Sequence, residues 1–202
     1  MKAYYYLISF MLFYSFGSCS NADTLYLNAI KAWQDTLNSE FQDSIESPLS
    51  KKDLALFKEL DFYKIDKKFC VTASFVRTPE ELPFGMKTTT DRLPVYVKYG
   101  EAYFNIDGKT FKLNVYQNQE LIKKEGYKDY LFIPFVDKTS GKESYKGGRY
   151  VDLRISKNES LIIDFNKAYN PYCAYNHRFS CPIPPYENTL DIEINAGVKK
   201  FH

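Results

Sequence analysis

The chain has 202 residues, with 27 Lys and Arg against 25 Asp and Glu, a net charge of +2, and 45% hydrophobic residues. That balance excludes a disordered chain, which lacks the apolar surface to offset its ordering entropy, and a general nucleic-acid binder, which needs a basic face for the phosphates. Two His leave little for a multi-histidine metal centre, and the unusual feature is the aromatic load of 18 Tyr, 16 Phe and one Trp.

Residues 1–18, MKAYYYLISFMLFYSFGS, have the order of a secretory signal: Lys2 as a cationic start, an apolar and tyrosine run from Ala3 to Phe16, and small residues at Gly17 and Ser18. The run is shorter than the roughly 20 residues needed to span a bilayer. A small residue directly before Cys19 resembles a bacterial lipobox, with Phe16 where Leu is more usual, so lipidation at Cys19 is the expectation. A plain secreted protein with Cys19 as a thiol and an uncleaved anchor are the alternatives. The remaining residues, 19–202, read as a single β-rich domain, with a helical part over about 22–60 and a β part over about 62–202; no repeat or long Ser/Gly linker divides it.

From Asp23 to Ser47 a helix is expected, because Tyr26, Ile30, Trp33, Leu37, Phe41 and Ile45 recur every three or four residues. Asp23 or Thr24 can cap its start, and Ser47-Pro48 stops it, since the residue before Pro avoids helical angles. Ser50 with Asp53 reads as a capping box for a second helix to about Leu60. From Phe62 the period becomes two. Strands are expected over 69–76, 95–99, 104–106, 111–115, 130–136, 149–155, 161–164 and 189–195, with Asp107-Gly108 as a two-residue hairpin turn. Strands joined by short turns without intervening helices imply a mainly β fold, an antiparallel β-barrel or sandwich with one or two N-terminal helices.

The most informative stretch is 137–201. Residues 164–188 (DFNKAYNPYCAYNHRFSCPIPPYEN) hold six aromatics and four of the nine prolines without helical or strand period. So many rings in an irregular loop must pack onto something. Long loops in compact domains are often functional, and structural cover is the competing explanation.

These residues carry a resemblance. Asp164-Phe165-Asn166, Ala168-Tyr169-Asn170-Pro171, Cys173-Ala174-Tyr175, Cys181-Pro182, Pro184-Pro185, Glu187-Asn188 and Ala196-Gly197 are similar to the bacterial and archaeal domain-of-unknown-function family 1684. Asp137-x-Thr139, Gly141, Tyr145 and Gly148-Arg149-Tyr150 also fit, and weaker matches reach back to Ser47-Pro48-Leu49. The resemblance implies a fold-level relative and no assigned reaction. One departure is Val198, where the family usually has Glu after Ala-Gly. A reaction in relatives that used that carboxylate would be missing from this chain.

Three chemical readings of the segment compete. An exported chain meets an oxidising compartment, so Cys173 and Cys181 can close a disulfide worth roughly 2–3 kcal/mol, leaving Cys70 as a small buried hydrophobe. Alternatively Cys173, His177 and Cys181, spaced C-x3-H-x3-C, with Cys70 as a fourth ligand, offer zinc-type donors, although the spacing matches no recognised finger. Finally, Arg149, Tyr150, Asp164, Asn166, Tyr169, Asn170, His177, Glu187 and Asn188 are polar or aromatic groups suited to a pocket. There Asp164 or Glu187 would be a general base and Arg149 an anion partner. The bland alternative has Asn and Asp satisfying loop backbone and Arg149 pairing with Asp164. No hydrolase, zincin or nucleotide fingerprint is present, and no cofactor is implied.

The sequence therefore predicts a cell-envelope lipoprotein, periplasm-facing and held to the membrane by its lipid. It would bind an unknown small molecule or envelope protein and no nucleic acid. The rivals are a periplasmic enzyme with a pocket around Arg149, Asp164, Asn170 and His177, and a purely structural module.

Overall fold

The structure is a computed structural model that describes residues 19–157 and 160–201. The expected signal lies outside these residues, and so does the side chain of Cys19. Helix α1 (Cys19–Gln42) and the short α2 (Lys51–Leu56) precede seven strands. These are β1 (Cys70–Arg77), β2 (Phe84–Gly85), β3 (Val95–Ile106), β4 (Lys109–Asn118), β5 (Tyr130–Phe135), β6 (Arg149–Arg154) and β7 (Ser160–Asp164). All strand pairs are antiparallel, in the order β6-β5-β4-β3-β1-β7, with β2 alongside β3. The sheet curls into a half-barrel. Its free edge at β6 is met by the chain just beyond β7, where Tyr150 and Tyr169 exchange backbone hydrogen bonds of 2.9 and 3.0 Å. That contact occupies an edge that would otherwise expose unpaired N–H and C=O groups.

Local chemistry explains the turns and bends. Asp107 and Gly108 take φ of 50° and 76°, the left-handed pair that a two-residue hairpin needs, and Ile106 pairs with Lys109 across them. At Lys98–Gly100 the β3–β4 register shifts by a bulge. A Cβ on Gly100 would lie 2.5 Å from the Val76 carbonyl oxygen and would collide with the Phe75 ring, so the bend requires Gly.

Inward residues Ala73, Phe104, Leu113, Val115, Leu131, Ile133, Phe135, Val151 and Ile163 fill the half-barrel. They alternate with outward residues, and on β3–β6 the outward face is also covered. There Tyr96, Tyr116, Phe132 and Tyr150 form a second cluster with Met86. This explains why β5 is almost buried along its whole length.

The helices differ in part from expectation. Helix α1 already includes Cys19, so neither Asp23 nor Thr24 caps it, and it ends at Gln42, ahead of Pro48. Ile45 is consequently off the helix and 86% exposed, while Ile30 and Phe41 are buried. Ser50 does cap α2, accepting from the Asp53 N–H at 3.1 Å, but α2 stops at Leu56. The separate strands expected over 95–99 and 104–106 are one bulged strand. Residues 189–195 form no strand; only Thr189 makes an isolated bridge, to Val136. Their alternation comes from a tail laid across the open end of the half-barrel, with Leu190 and Ile194 pointing into the core.

Candidate functional site

The polar residues of the 137–201 segment build two different places. The first is a buried network at the end of the sheet. Arg149 lies on the inward side of β6 and is fully buried. It pairs with Asp137 at 3.2 Å, donates from Nη2 to the Ile194 carbonyl at 2.8 Å, and donates from Nη1 to the Ala196 carbonyl. Asp137 also accepts from the Thr139 hydroxyl at 2.8 Å and the Ile194 N–H at 2.8 Å. The expected Arg149–Asp164 pair is therefore absent, and Arg149 is not an anion receptor. The reason is register: an inward position on β6 faces the returning tail, whereas Asp164 ends β7, at the other end of the strand order, and is held there by other partners. There Asp164 accepts from the Tyr26 hydroxyl at 3.0 Å and from the Asn166 N–H at 3.0 Å.

The asparagines follow the bland reading. Asn166 ties its loop to residue 66, accepting from the Asp66 N–H and donating to the Asp66 carbonyl, both at 2.9 Å. Asn170 donates to the Lys199 carbonyl at 2.8 Å, and its Oδ1 has no partner among the described residues. Asn188 mends the sheet. Strands β4 and β5 pair by register only at Tyr116–Phe132, and Pro134 has no N–H. The Asn188 side chain enters beside them, accepting from the Asn114 N–H at 2.8 Å and donating to the carbonyls of Asn114 and Pro134 at 2.9 and 2.7 Å.

His177 and Glu187 are both exposed. Among the described residues no three His, Cys, Asp or Glu side chains converge on a metal position, so the C-x3-H-x3-C spacing does not bring its three members together. Cys173 and Cys181 do meet, but as free thiols rather than the expected disulfide: the Cys173 N–H donates to the Cys181 sulfur at 3.2 Å. A hydrogen bond between the two thiols holds Cys173 below its usual range and pushes Cys181 up. Cys70 is a third free thiol, half-buried at the start of β1, and burial pushes it up. Val198, at the position of the family Glu, is buried against Phe41, Leu49, Leu60 and Tyr175, so an acid there would be desolvated in an apolar cluster.

The second place is a cleft of about 490 Å³ on the outward face of the sheet. Its floor is Tyr96, Phe132, Tyr150 and Asp152; its walls come from α1 (Trp33, Leu37, Glu40, Phe41) and from the loop after β7 (Tyr169–Tyr172, Tyr175 and Phe179–Pro182). The rings stand at steep angles. Phe132 and Tyr150 meet edge to face at 4.7 Å and 73°, and Tyr150 and Tyr169 at 5.8 Å and 90°, geometries that aromatic quadrupoles favour. The Tyr150 hydroxyl donates to the Pro182 carbonyl and so fixes the loop over the sheet.

Asp152 lies directly across the ladder from Phe132. Its Oδ1 accepts two hydroxyls, from Tyr130 at 2.7 Å and Tyr169 at 2.8 Å. Oδ2 has no hydrogen bond among the described residues. The carboxyl is reached by solvent through the cleft mouth but crowded by rings on the protein side. That crowding raises it above its usual pKa, against the opposing pull of the two tyrosine hydroxyls and Arg154. Burial likewise pushes Tyr130, Tyr150 and Tyr169 up, so all three stay protonated donors at neutral pH.

Of the sequence-predicted candidates, only Tyr150, Tyr169, Asn170 and Cys181 line this cleft. The enzyme pocket around Arg149, Asp164, Asn170 and His177 is not assembled. Sequence reasoning missed Asp152, Tyr130, Phe132, Tyr96 and Trp33. The signal was present in β6, where alternation puts Tyr150, Asp152 and Arg154 on the face opposite Arg149.

The fold and cleft define a class: a curled antiparallel sheet whose outer face, roofed by a helix and an irregular loop, encloses an aromatic-walled cavity. The chain belongs to the family described as a protein of unknown function, DUF1684, which it matches over residues 55–199. It is also similar to an uncharacterized protein of Haloarcula marismortui solved by solution NMR, with 29% identity, 89% of this chain and 97% of that chain covered, and a TM-score of 0.69. No curated protein matches the chain.

Proposed function

We propose that the protein binds a small organic molecule in the aromatic cleft and does so as a lipid-anchored protein of the cell envelope. The observation that carries the binding reading is the cleft itself. Its volume of about 490 Å³ falls within the roughly 300–1,000 Å³ of typical ligand pockets. Ten of its nineteen lining residues are aromatic, and its one carboxylate on the floor keeps an oxygen unfilled. Ordinary core building fills such a space with side chains; here the rings surround it instead.

Trp33 is the only tryptophan and lines the cleft, so its emission reports occupancy. A fragment library titrated against residues 19–202 is expected to give ligands that change Trp33 emission and raise the melting temperature together. A library in which no member does either overturns the reading.

The anchor rests on residues 1–18 and on Cys19 following Ser18. No helix among the described residues is long and apolar enough to cross a membrane. Fatty-acid labelling of the full chain tests the lipid: label on the wild type and none on Cys19→Ala supports it, and an unlabelled wild type refutes it.

A further inference from the structure

We infer that the cleft selects an organic ammonium cation, held by the aromatic walls with Asp152 as its counter-charge. The inference rests on the binding reading above and adds the ligand class.

The charge of the lining comes first. The only carboxylic acids among the lining residues are Asp152 on the floor and Glu40 on α1, and Lys, Arg and His are absent from the lining. A neutral or anionic ligand would leave both carboxylates facing it uncompensated, whereas a cation neutralises them. The neighbouring cations are already engaged. Arg154, on the same face of β6, donates to Asp129 at 2.8 Å and to the Gly126 carbonyl, and lies over the rings of Tyr127 and Tyr130. Arg92, near the rim, donates to the Ser180 carbonyl at 2.8 Å and to its hydroxyl at 3.2 Å.

The walls come second. Aromatic faces carry negative quadrupole charge and attract a cation within about 6 Å of the ring centre, more strongly where water is excluded. Phe132, Tyr150 and Tyr169 stand at near right angles to one another in sequence, which makes a corner rather than a flat platform. A compact ammonium with its alkyl groups fits a corner; a planar ring system fits a platform.

The state of Asp152 comes third. Tyr130 and Tyr169 both donate to Oδ1, so that oxygen is saturated and fixed, and Oδ2 is the position left for a ligand. Crowding makes the ionised carboxyl costly while the cleft is empty. A bound cation relieves this, so binding and ionisation of Asp152 reinforce each other.

The test compares two soluble probes of nearly the same shape, choline and its uncharged isostere 3,3-dimethylbutan-1-ol, on residues 19–202 by Trp33 emission and calorimetry. Choline is expected to bind roughly tenfold more tightly than the alcohol. Asp152→Asn, which keeps the shape, is expected to remove most of that preference and leave the alcohol unchanged. Lowering the pH so that Asp152 protonates does the same in the unmodified protein, without relying on a variant. Equal affinity for the two probes overturns the ammonium assignment while leaving the cleft as a binding site. Failure of choline alone, with other fragments bound, does the same. Failure of every fragment removes the binding reading beneath it.

Discussion

Arg149 and Asp152 lie three residues apart on one strand and face opposite sides of the sheet. On the inward side, Arg149 is fully buried and its guanidinium reaches Asp137 and three tail carbonyls. On the outward side, Asp152 lines the cleft with one oxygen bonded to two tyrosines and the other without a hydrogen bond among the described residues. The first arrangement closes the open end of the half-barrel with the C-terminal tail. The second leaves a charged group short of partners where water and ligands can reach it. Polar richness in the 137–201 segment therefore has two origins, and pairing within the fold, more than residue type, distinguishes them.

The largest effect that would break this contrast is at Arg149. Replacing it with Met leaves Asp137 as a buried, unpaired charge and frees the Ile194 and Ala196 carbonyls. The expected loss is about 3–5 kcal/mol in urea denaturation, and adding Asp137→Asn should recover part of it. A loss below about 1 kcal/mol would mean that Arg149 is not the clasp.

Asn188→Ala comes next. It removes three buried hydrogen bonds from the gap between β4 and β5, for an expected loss of about 3 kcal/mol. Exchange of the Asn114 amide should accelerate in step, because that N–H loses its acceptor.

The cleft side should respond differently. Tyr169→Phe removes one hydroxyl from Asp152 and should change stability by no more than about 1.5 kcal/mol. Its clearer readout is the carboxyl carbon of Asp152, whose titration should move further up in pH, since a donor to the ionised form is lost.

Asp152→Asn should have the smallest effect on stability, and in the favourable direction at neutral pH. The folded pKa of Asp152 lies above the unfolded one, so between the two values the native state holds the extra proton. Its contribution is full below the unfolded pKa and is lost as pH rises through the folded pKa. Melting curves from acid to neutral pH should show this decline in the wild type and a flatter profile in the variant.

Much of the fold was legible because periodicity is local. The switch from a three-to-four spacing in α1 to alternation beyond Phe62, and the Asp107-Gly108 turn, depend on neighbours in sequence. Residues 189–195 misled because a tail laid across a core alternates as a strand does, without a partner strand to pair with. The site was less legible. Asn166, Asn170 and Asn188 look functional in sequence because each sits in a distinctive motif, yet each bonds to backbone far away in sequence, and only Asn170 also lines the cleft. Asp152 has no motif. Its importance arises only when β5 pairs with β6 and the chain beyond β7 meets the β6 edge, which bring Tyr130 and Tyr169 onto one of its oxygens, long-range events that residue spacing does not encode. The aromatic excess is shared between the half-barrel core, the helix–tail cluster around Phe41 and Tyr175, and the cleft.

The most direct test of the claim that the cleft is the binding face is shift mapping on nitrogen-15-labelled residues 19–202 with the ligands found by Trp33 emission. Perturbations are expected to gather at Trp33, Tyr96, Phe132, Tyr150, Asp152 and Tyr169, with the Arg149–Asp137–Asn188 side unmoved. Perturbations centred on that buried network, or spread over the surface without regard to the cleft, would contradict it.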